Sequence, residues 1–367
     1  MLSAWTLPGN PGSPHRAGES AARIVADARA AVAELIGASP AEMVFTSGAT
    51  EANNLAIVGV ARRMAAERPE RRRIVVSAVE HKAVLEPAQA LAAMGFEIFI
   101  APVDATGRLD LDAFADALDD RTLMVSVMAA NNETGVLQPV QDVAALARRV
   151  GALVHCDAAQ AAGKIPIDVI GLDLDYVSLS AHKLYGPVGV GALFVSALAP
   201  KPHPLQRGGG QEQGLRSGTE PAPLLAGFGA AAILARDGLE DDGRQGRRLA
   251  QRLCDGLHER QVRLDITTRD APGIPGTLSI HLHDADADDV VLRLSDEVCL
   301  STGSACTRGQ VSSSHVLNAM GYEEADARHV LRVFCGRYNT DGEIDRAAAL
   351  IASAVRRSAL APGELRQ

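Results

Sequence analysis

The stretch "TLMVSVMAANNETGVLQPVQDVAALARRVGALVHCDAAQ", residues 122–160, decides the fold. It opens with an apolar run, "TLMVSVMAANN", that reads as a strand and ends in Asn131 and Asn132. "VQDVAALARRVG" follows as a helix, and "ALVHCDAAQ" as a second strand that leads into Asp157 and Gln160. Short apolar strands alternating with helices are the mark of an α/β fold around a mostly parallel sheet.

The same beat runs outward. Upstream, "ESAARIVADARAAVAELIG" (19–37) carries apolar residues at helical spacing and stops at Gly37. "SPAE" (39–42) is a capping-box pattern with Pro40 at the first helical position. "MVFTSG" reads as a strand, and "ATEANNLAIVGVARRMAAE" as a helix from near Thr50. "RIVVSAVEH" is a strand before a helix ending at Gly95; "FEIFIAPVD" is a strand before the helix "DLDAFADALDD". Downstream, "LDYVSLSAHK" and "VGVGALFVS" read as two more strands. Past about residue 238 the texture changes to a long amphipathic helix, the alternating strand "GTLSIHLHD", a short helix with acids at its start, the strand "RHVLRVFCGR" and a final helix. The expected organisation is a large α/β domain, 1–238, and a smaller α+β domain, 239–367.

The totals exclude several classes. A formal net charge of −9, from 36 basic and 45 acidic residues, argues against a general nucleic-acid binder. The one basic cluster, "ERPERRR" (67–73), reads as a solvated turn. No apolar run is long enough to cross a bilayer, and the opening "MLSAWTLPGNPG" lacks the features of a signal peptide, so no membrane and a cytoplasmic location are expected. The five cysteines, Cys156, Cys254, Cys299, Cys306 and Cys335, show neither a disulfide framework nor a zinc spacing. Cys156, Cys254 and Cys335 sit in apolar patterns and read as core, and Cys299 is expected to be buried. Cys306 differs: "STGSACTRGQ" (301–310) sets it among glycine and small polar residues. In "HLHDADADD" (281–289), His281 and His283 share a strand face, but the acids match a helix start and no metal is expected.

In parallel sheets ligands bind beyond the carboxyl ends of strands. Five expected strand ends deliver polar groups there: Ser47-Gly48-Ala49-Thr50, Glu80-His81-Lys82, Asn131-Asn132-Glu133, Asp157 with Gln160, and Ser180 with His182 and Lys183. Only four lysines exist, Lys82, Lys164, Lys183 and Lys201. Lys183 at a strand end, the Asp157 carboxylate on a neighbouring strand and a helix start for a phosphate are the parts of a pyridoxal phosphate site, with Lys82 as the nearest rival amine.

"FTSGATEANNLAI", "EHKAVL", "NNETG", "DAAQ", "SAHKLYGP", "GGGQEQGLRSGT" and "STGSACT" occur in this order, and the chain from about Gly9 to about Ala359 resembles the cysteine desulfurases, class V enzymes of the fold-type I pyridoxal phosphate family. The resemblance implies that Lys183 holds the cofactor as a Schiff base, that Asp157 pairs with the pyridinium nitrogen and that Gln160 bonds the phenolic oxygen. It gives His81 ring stacking and proton transfer, and gives Ala49, Thr50, Ser180 and His182 to cofactor binding. Thr219 would reach the cofactor phosphate of a partner subunit, which makes the enzyme a homodimer, and Asn132 and Arg332 would bind the carboxylate of L-cysteine. Cys306 would take the substrate sulfur as a persulfide and carry it to an acceptor protein such as an iron–sulfur scaffold, a task that suits a thiol on a glycine-bearing loop. A selenocysteine lyase or another class V aminotransferase is the alternative reading, and an N-terminally short, inactive dimer partner the non-enzyme one. The sequence departs from the family at Val188, where a lysine is common, and in the short tail "LAPGELRQ". It also opens where the family's "GNPSS-x-H" motif stands, here "GNPGSPH", so Met1 is expected not to be the natural start. This length is expected to bind cofactor but to turn over cysteine poorly.

Overall fold

The computed structural model describes residues 1–6, 9–303 and 314–359. The chain divides into two compact units. Met1–Pro102, Leu109–Ala130 and Gln138–Leu239 make the first; Val103–Arg108, Asn131–Leu137 and the chain from Glu240 on make the second. Two short segments ahead of residue 238 thus belong to the second unit, and no apolar pattern in the sequence marks them.

Local chemistry starts the first unit. The Arg16–Leu35 helix buries Val25, Ala28 and Val32, and the chain turns at Gly37, whose φ of +69° suits glycine. Ser39 Oγ accepts from the Ala41 N–H while Glu42 accepts from the Ser39 N–H, closing a capping box around the Pro40–Glu42 turn. That turn feeds β1, Met43–Thr46.

The remaining strands of this sheet are β2 (Arg73–Ser77), β3 (Glu97–Ala101), β4 (Thr122–Ser126), β5 (Leu153–Asp157), β6 (Tyr176–Ser180) and β7 (Gly191–Val195), in the order β1-β7-β6-β5-β4-β2-β3. β6, β5, β4, β2 and β3 run parallel in turn. β7 is antiparallel to both β6 and β1, so β1 runs the same way as β6. β7 turns back because its link to β6 holds only the Ala181–Leu184 turn, too little for a parallel crossover. The carboxyl ends of β1, β2, β4, β5 and β6 therefore share one edge. β4 and β6 are buried along their whole length, as parallel strands covered on both faces must be.

The helix expected from near Thr50 to Glu67 forms, but widens to a π-helix over Leu55–Gly59. A Cβ at Gly59 would lie 2.8 Å from the His203 carbonyl oxygen, so glycine lets that loop close on the helix.

The solvated turn expected for "ERPERRR" needs correction. Arg71 donates to the Thr122 and Val150 carbonyls at 2.6 and 2.9 Å. Arg72 lies over the Phe96 ring and donates to the Ala65 carbonyl, and Arg73 bonds the Ala117 carbonyl and Glu97. Backbone carbonyls around the amino-terminal edge of the sheet need donors, and these arginines supply them.

In the second unit, β8 (Leu264–Ile266), β9 (Thr277–Leu282), β10 (Ser301–Thr302) and β11 (Val330–Phe334) form an antiparallel sheet in the order β10-β11-β9-β8. Ile280, Leu282, Leu331 and Val333 pack in one core with Leu249, Leu253 and Leu257 of the Leu239–Glu259 helix and Ile344 and Ile351 of the Asp341–Ala359 helix. The Asn131–Leu137 segment joins it through backbone bonds: Leu137 N–H to the Pro272 carbonyl at 2.8 Å and Ile274 N–H to the Gly135 carbonyl at 2.9 Å.

Cys156, Cys254 and Cys335 are buried, but Cys299 is exposed, against expectation. "EVCLS" is irregular until β10 begins at Ser301, so among the described residues no sheet covers the thiol. Among the described residues no single helix is long and apolar enough to cross a membrane.

Candidate active site

The end of β5 holds a buried carboxylate. Asp157 is 5% exposed. Its Oδ2 accepts from Asn53 Nδ2 at 2.7 Å and its Oδ1 from the Ala159 N–H at 2.9 Å. Burial pushes the carboxyl above its usual range, against those two hydrogen bonds and the charges of His81 and Lys183. A buried carboxylate held in this way gains most from a cation set beside it.

The end of β2 contributes His81. It caps the Lys82–Ala90 helix, with Nδ1 accepting from the Ala83 N–H at 3.0 Å. The neutral ring then carries its proton on Nε2. Glu80 beside it is fully buried and accepts from the Met128 N–H; burial, with Asp157 as a like charge, drives its pKa well upward.

β6 ends in Ser180, whose Oγ lies 3.0 Å from His182 Nδ1, and the following turn carries Lys183. His182 and Lys183 are exposed. Burial, then the charges of Lys183 and Lys164, lowers the His182 pKa. β1 leads through Gly48 into the helix that starts at Ala49. The first N–H groups of a helix have no intrahelical acceptor, so Ala49 and Thr50 present theirs to an anion. Glu51 fixes this corner, accepting from the Ser47 N–H at 2.6 Å and from Arg216 Nε at 2.9 Å.

Gln160 lies on the turn after β5, where Lys164 Nζ donates to its carbonyl at 2.8 Å and approaches its Oε1 at 3.4 Å. Thr219 is exposed and makes none of these interactions among the described residues, although its loop is pinned by Arg216 on Glu51 and by Glu220 on Arg29. Lys82 is exposed at the start of its helix.

The donor set fits pyridoxal phosphate. An amine at Lys183, a buried carboxylate awaiting a cation at Asp157, an imidazole at His81 and a helix start with neighbouring hydroxyls match the aldehyde, pyridinium, ring and phosphate of that group.

The second unit gathers two further expected residues. Arg332 on β11 donates from Nη1 to the Asn132 carbonyl at 3.1 Å and from Nε to Ser301 Oγ at 2.9 Å. Register explains the second bond, since Ser301 and Arg332 face each other across β10 and β11. Cys306 lies outside the described residues.

Asn53, Lys164 and the Glu51–Arg216 pair were not read as functional from the sequence. Asn53 carries a signal in hindsight: it is a polar residue one helical turn after Thr50, at a position 0% exposed.

The family model "Aminotransferase class-V" matches residues 6–347. The cysteine desulfurase IscS of Rickettsia akari (strain Hartford) is 41% identical over 361 residues, spanning 97% of this chain and 86% of its own. A solved NifS-like protein superposes with a TM-score of 0.87 at 36% identity, covering 95% of this chain and 92% of its own. SspA, solved in complex with cysteine, gives a TM-score of 0.79 at 34% identity, covering 92% of this chain and 95% of its own. The chain belongs to the class-V aminotransferases and, within them, to the pyridoxal phosphate-dependent cysteine desulfurases.

Proposed function

We propose that this protein converts L-cysteine to L-alanine and passes the sulfur, as a persulfide on Cys306, to an acceptor protein for iron–sulfur cluster or thio-cofactor assembly. The observation that supports the reading is that the ends of β2, β5 and β6 bring His81, Asp157 and Lys183 to one edge of the sheet, where the charges of His81 and Lys183 act on Asp157.

Bound pyridoxal phosphate supplies an electron sink for the carbon that loses its proton. Lys183 would hold the cofactor, and its Nζ, freed when the substrate amine takes its place, would accept the Cα proton of the substrate. Asp157 keeps the ring nitrogen protonated, which its buried position favours. His81 would stack on the ring and would offer the Nε2 proton, since Nδ1 is occupied by the Ala83 N–H. Gln160 bonds the phenolic oxygen, while Ala49, Thr50, Ser180 and His182 hold the phosphate. Arg332 and Asn132 take the substrate carboxylate, for which a guanidinium offers two parallel bonds. Cys306 would attack as a thiolate: its Sγ bonds the substrate sulfur as the Cβ–S bond breaks, the pair from that bond stays with the substrate Cβ, which takes a proton, and alanine leaves once its Cα is reprotonated.

Thr219 completes the phosphate site of a second copy, so the working form is a homodimer. A cytoplasmic location is consistent with the free thiols of Cys156, Cys254, Cys299 and Cys335. The test is to supply L-cysteine and a reductant and to measure alanine and sulfide. Equal amounts of both are expected. Cys306→Ser should keep the visible colour of the cofactor yet form no persulfide; normal alanine release by that variant would overturn the role of Cys306.

A further inference from the structure

Lys164 lies outside every role given above, yet it sits against the same cluster. The turn after β5 folds back on itself, with the Lys164 and Ile165 N–H groups both bonded to the Ala161 carbonyl. This brings the Lys164 amine onto Gln160, 2.8 Å from its carbonyl oxygen and 3.4 Å from Oε1. An ammonium only donates, so it selects the oxygen end of the Gln160 amide and leaves the NH₂ end for another partner. We propose that Lys164 is a positioning residue for the cofactor, turning Gln160 into a hydrogen-bond donor toward the phenolic oxygen and adding positive charge beside Lys183. The inference rests on the reading of Lys183 and Gln160 given above.

The surroundings agree with it. Lys164 is half-buried, and burial first, then the charge of Lys183, brings its pKa down to about 7, so its ammonium form holds Gln160 from about neutral pH downward. Lys183 and Lys164 also both lower His182, while Lys183 and His81 act on Asp157, which in turn raises Glu80. These are the titratable groups among which Lys164 acts. A donor on the phenolic oxygen and a cation near the reactive nitrogen both favour loss of that nitrogen's proton. Removing Lys164 withdraws both effects, and they share one sign.

The test uses the colour of the bound cofactor rather than turnover. The pH midpoint of the visible absorbance is measured for the wild type and for Lys164→Met, with the dissociation constant for pyridoxal phosphate. The midpoint should rise by about one pH unit in the variant, and binding should weaken several-fold. In a Gln160→Ala background the same substitution should move the midpoint less, because only the charge effect remains. Lys164→Gln, which keeps a donor and loses the charge, serves if the methionine variant does not fold, and should shift in the same direction. If the wild type takes up no pyridoxal phosphate, the reading of Lys183 fails and the inference with it. If the wild type binds normally and the Lys164 substitution leaves the midpoint unmoved, the inference alone is overturned.

Discussion

Asn53→Ala isolates the support that Asp157 receives. The amide lies 2.7 Å from Oδ2 and is fully buried, so this is a charge-assisted hydrogen bond without competing water. Such a bond contributes about 1.5–3 kcal/mol. Asn53 Oδ1, however, is buried without a hydrogen-bond partner among the described residues. Deleting it relieves a cost of about 1–3 kcal/mol, so the net change in folding stability should be small. Cofactor binding has no such offset, because it needs the carboxylate charged. At about 1.4 kcal/mol per factor of ten, affinity for pyridoxal phosphate should fall roughly ten- to hundredfold. The sign with pH follows from Asp157, already raised by burial and raised further once Asn53 is gone. The variant must lose a proton before it pairs with the cofactor, so its affinity should recover as pH rises. Absorbance titration of the apoprotein on either side of neutrality, beside urea unfolding, reads both quantities. Wild-type affinity at both pH values would refute the reasoning.

Borohydride reduction of the loaded protein and peptide mapping should place the pyridoxyl group on Lys183, and Lys183→Ala should lose both colour and turnover; a label on Lys82 would reverse the assignment. Arg332→Lys keeps the charge but loses the planar fork that bonds Ser301 and Asn132, so KM for cysteine should rise at least tenfold (roughly, for one charged hydrogen bond) while the cofactor spectrum is unchanged. His155 is buried between Ser126 and Ser178, and burial brings its pKa down to about 3 from 6.5. The unfolded chain takes up a proton across that window and the native state does not, so stability falls as pH drops, by roughly 2 kcal/mol at about pH 5. His155→Gln should remove that part of the slope in urea unfolding, and an identical slope would show that His155 is not its source.

The strands of the first sheet were legible because each is a short apolar run closed by polar residues, and the polar closures already outlined the shared edge. The pairing of β1 with β7 was not legible, since no local pattern reports which distant strand lies alongside. The contacts of Asn53 and Lys164 were not legible for a related reason. One sits inside a helical pattern and the other after a turn, and only folding brings them to Asp157 and Gln160. Charge runs also mislead: Arg71, Arg72 and Arg73 looked solvated by composition, yet each finds backbone acceptors that composition does not reveal. Cys299 shows the converse, as apolar neighbours in sequence did not bring cover in space.

The interleaving of the two units has a consequence for recombining this protein with its relatives. Asn131–Leu137 leaves the ribosome long before Pro272, Ile274 and Arg332, the residues that hold it. A growing chain must keep that segment waiting until the second unit arrives. A chimera cut at Leu239 would respect the main boundary in sequence and still fail to separate the units. It would set one parent's Arg332 against the other parent's Asn132, so that a hydrogen bond of 3.1 Å would join two independently evolved halves.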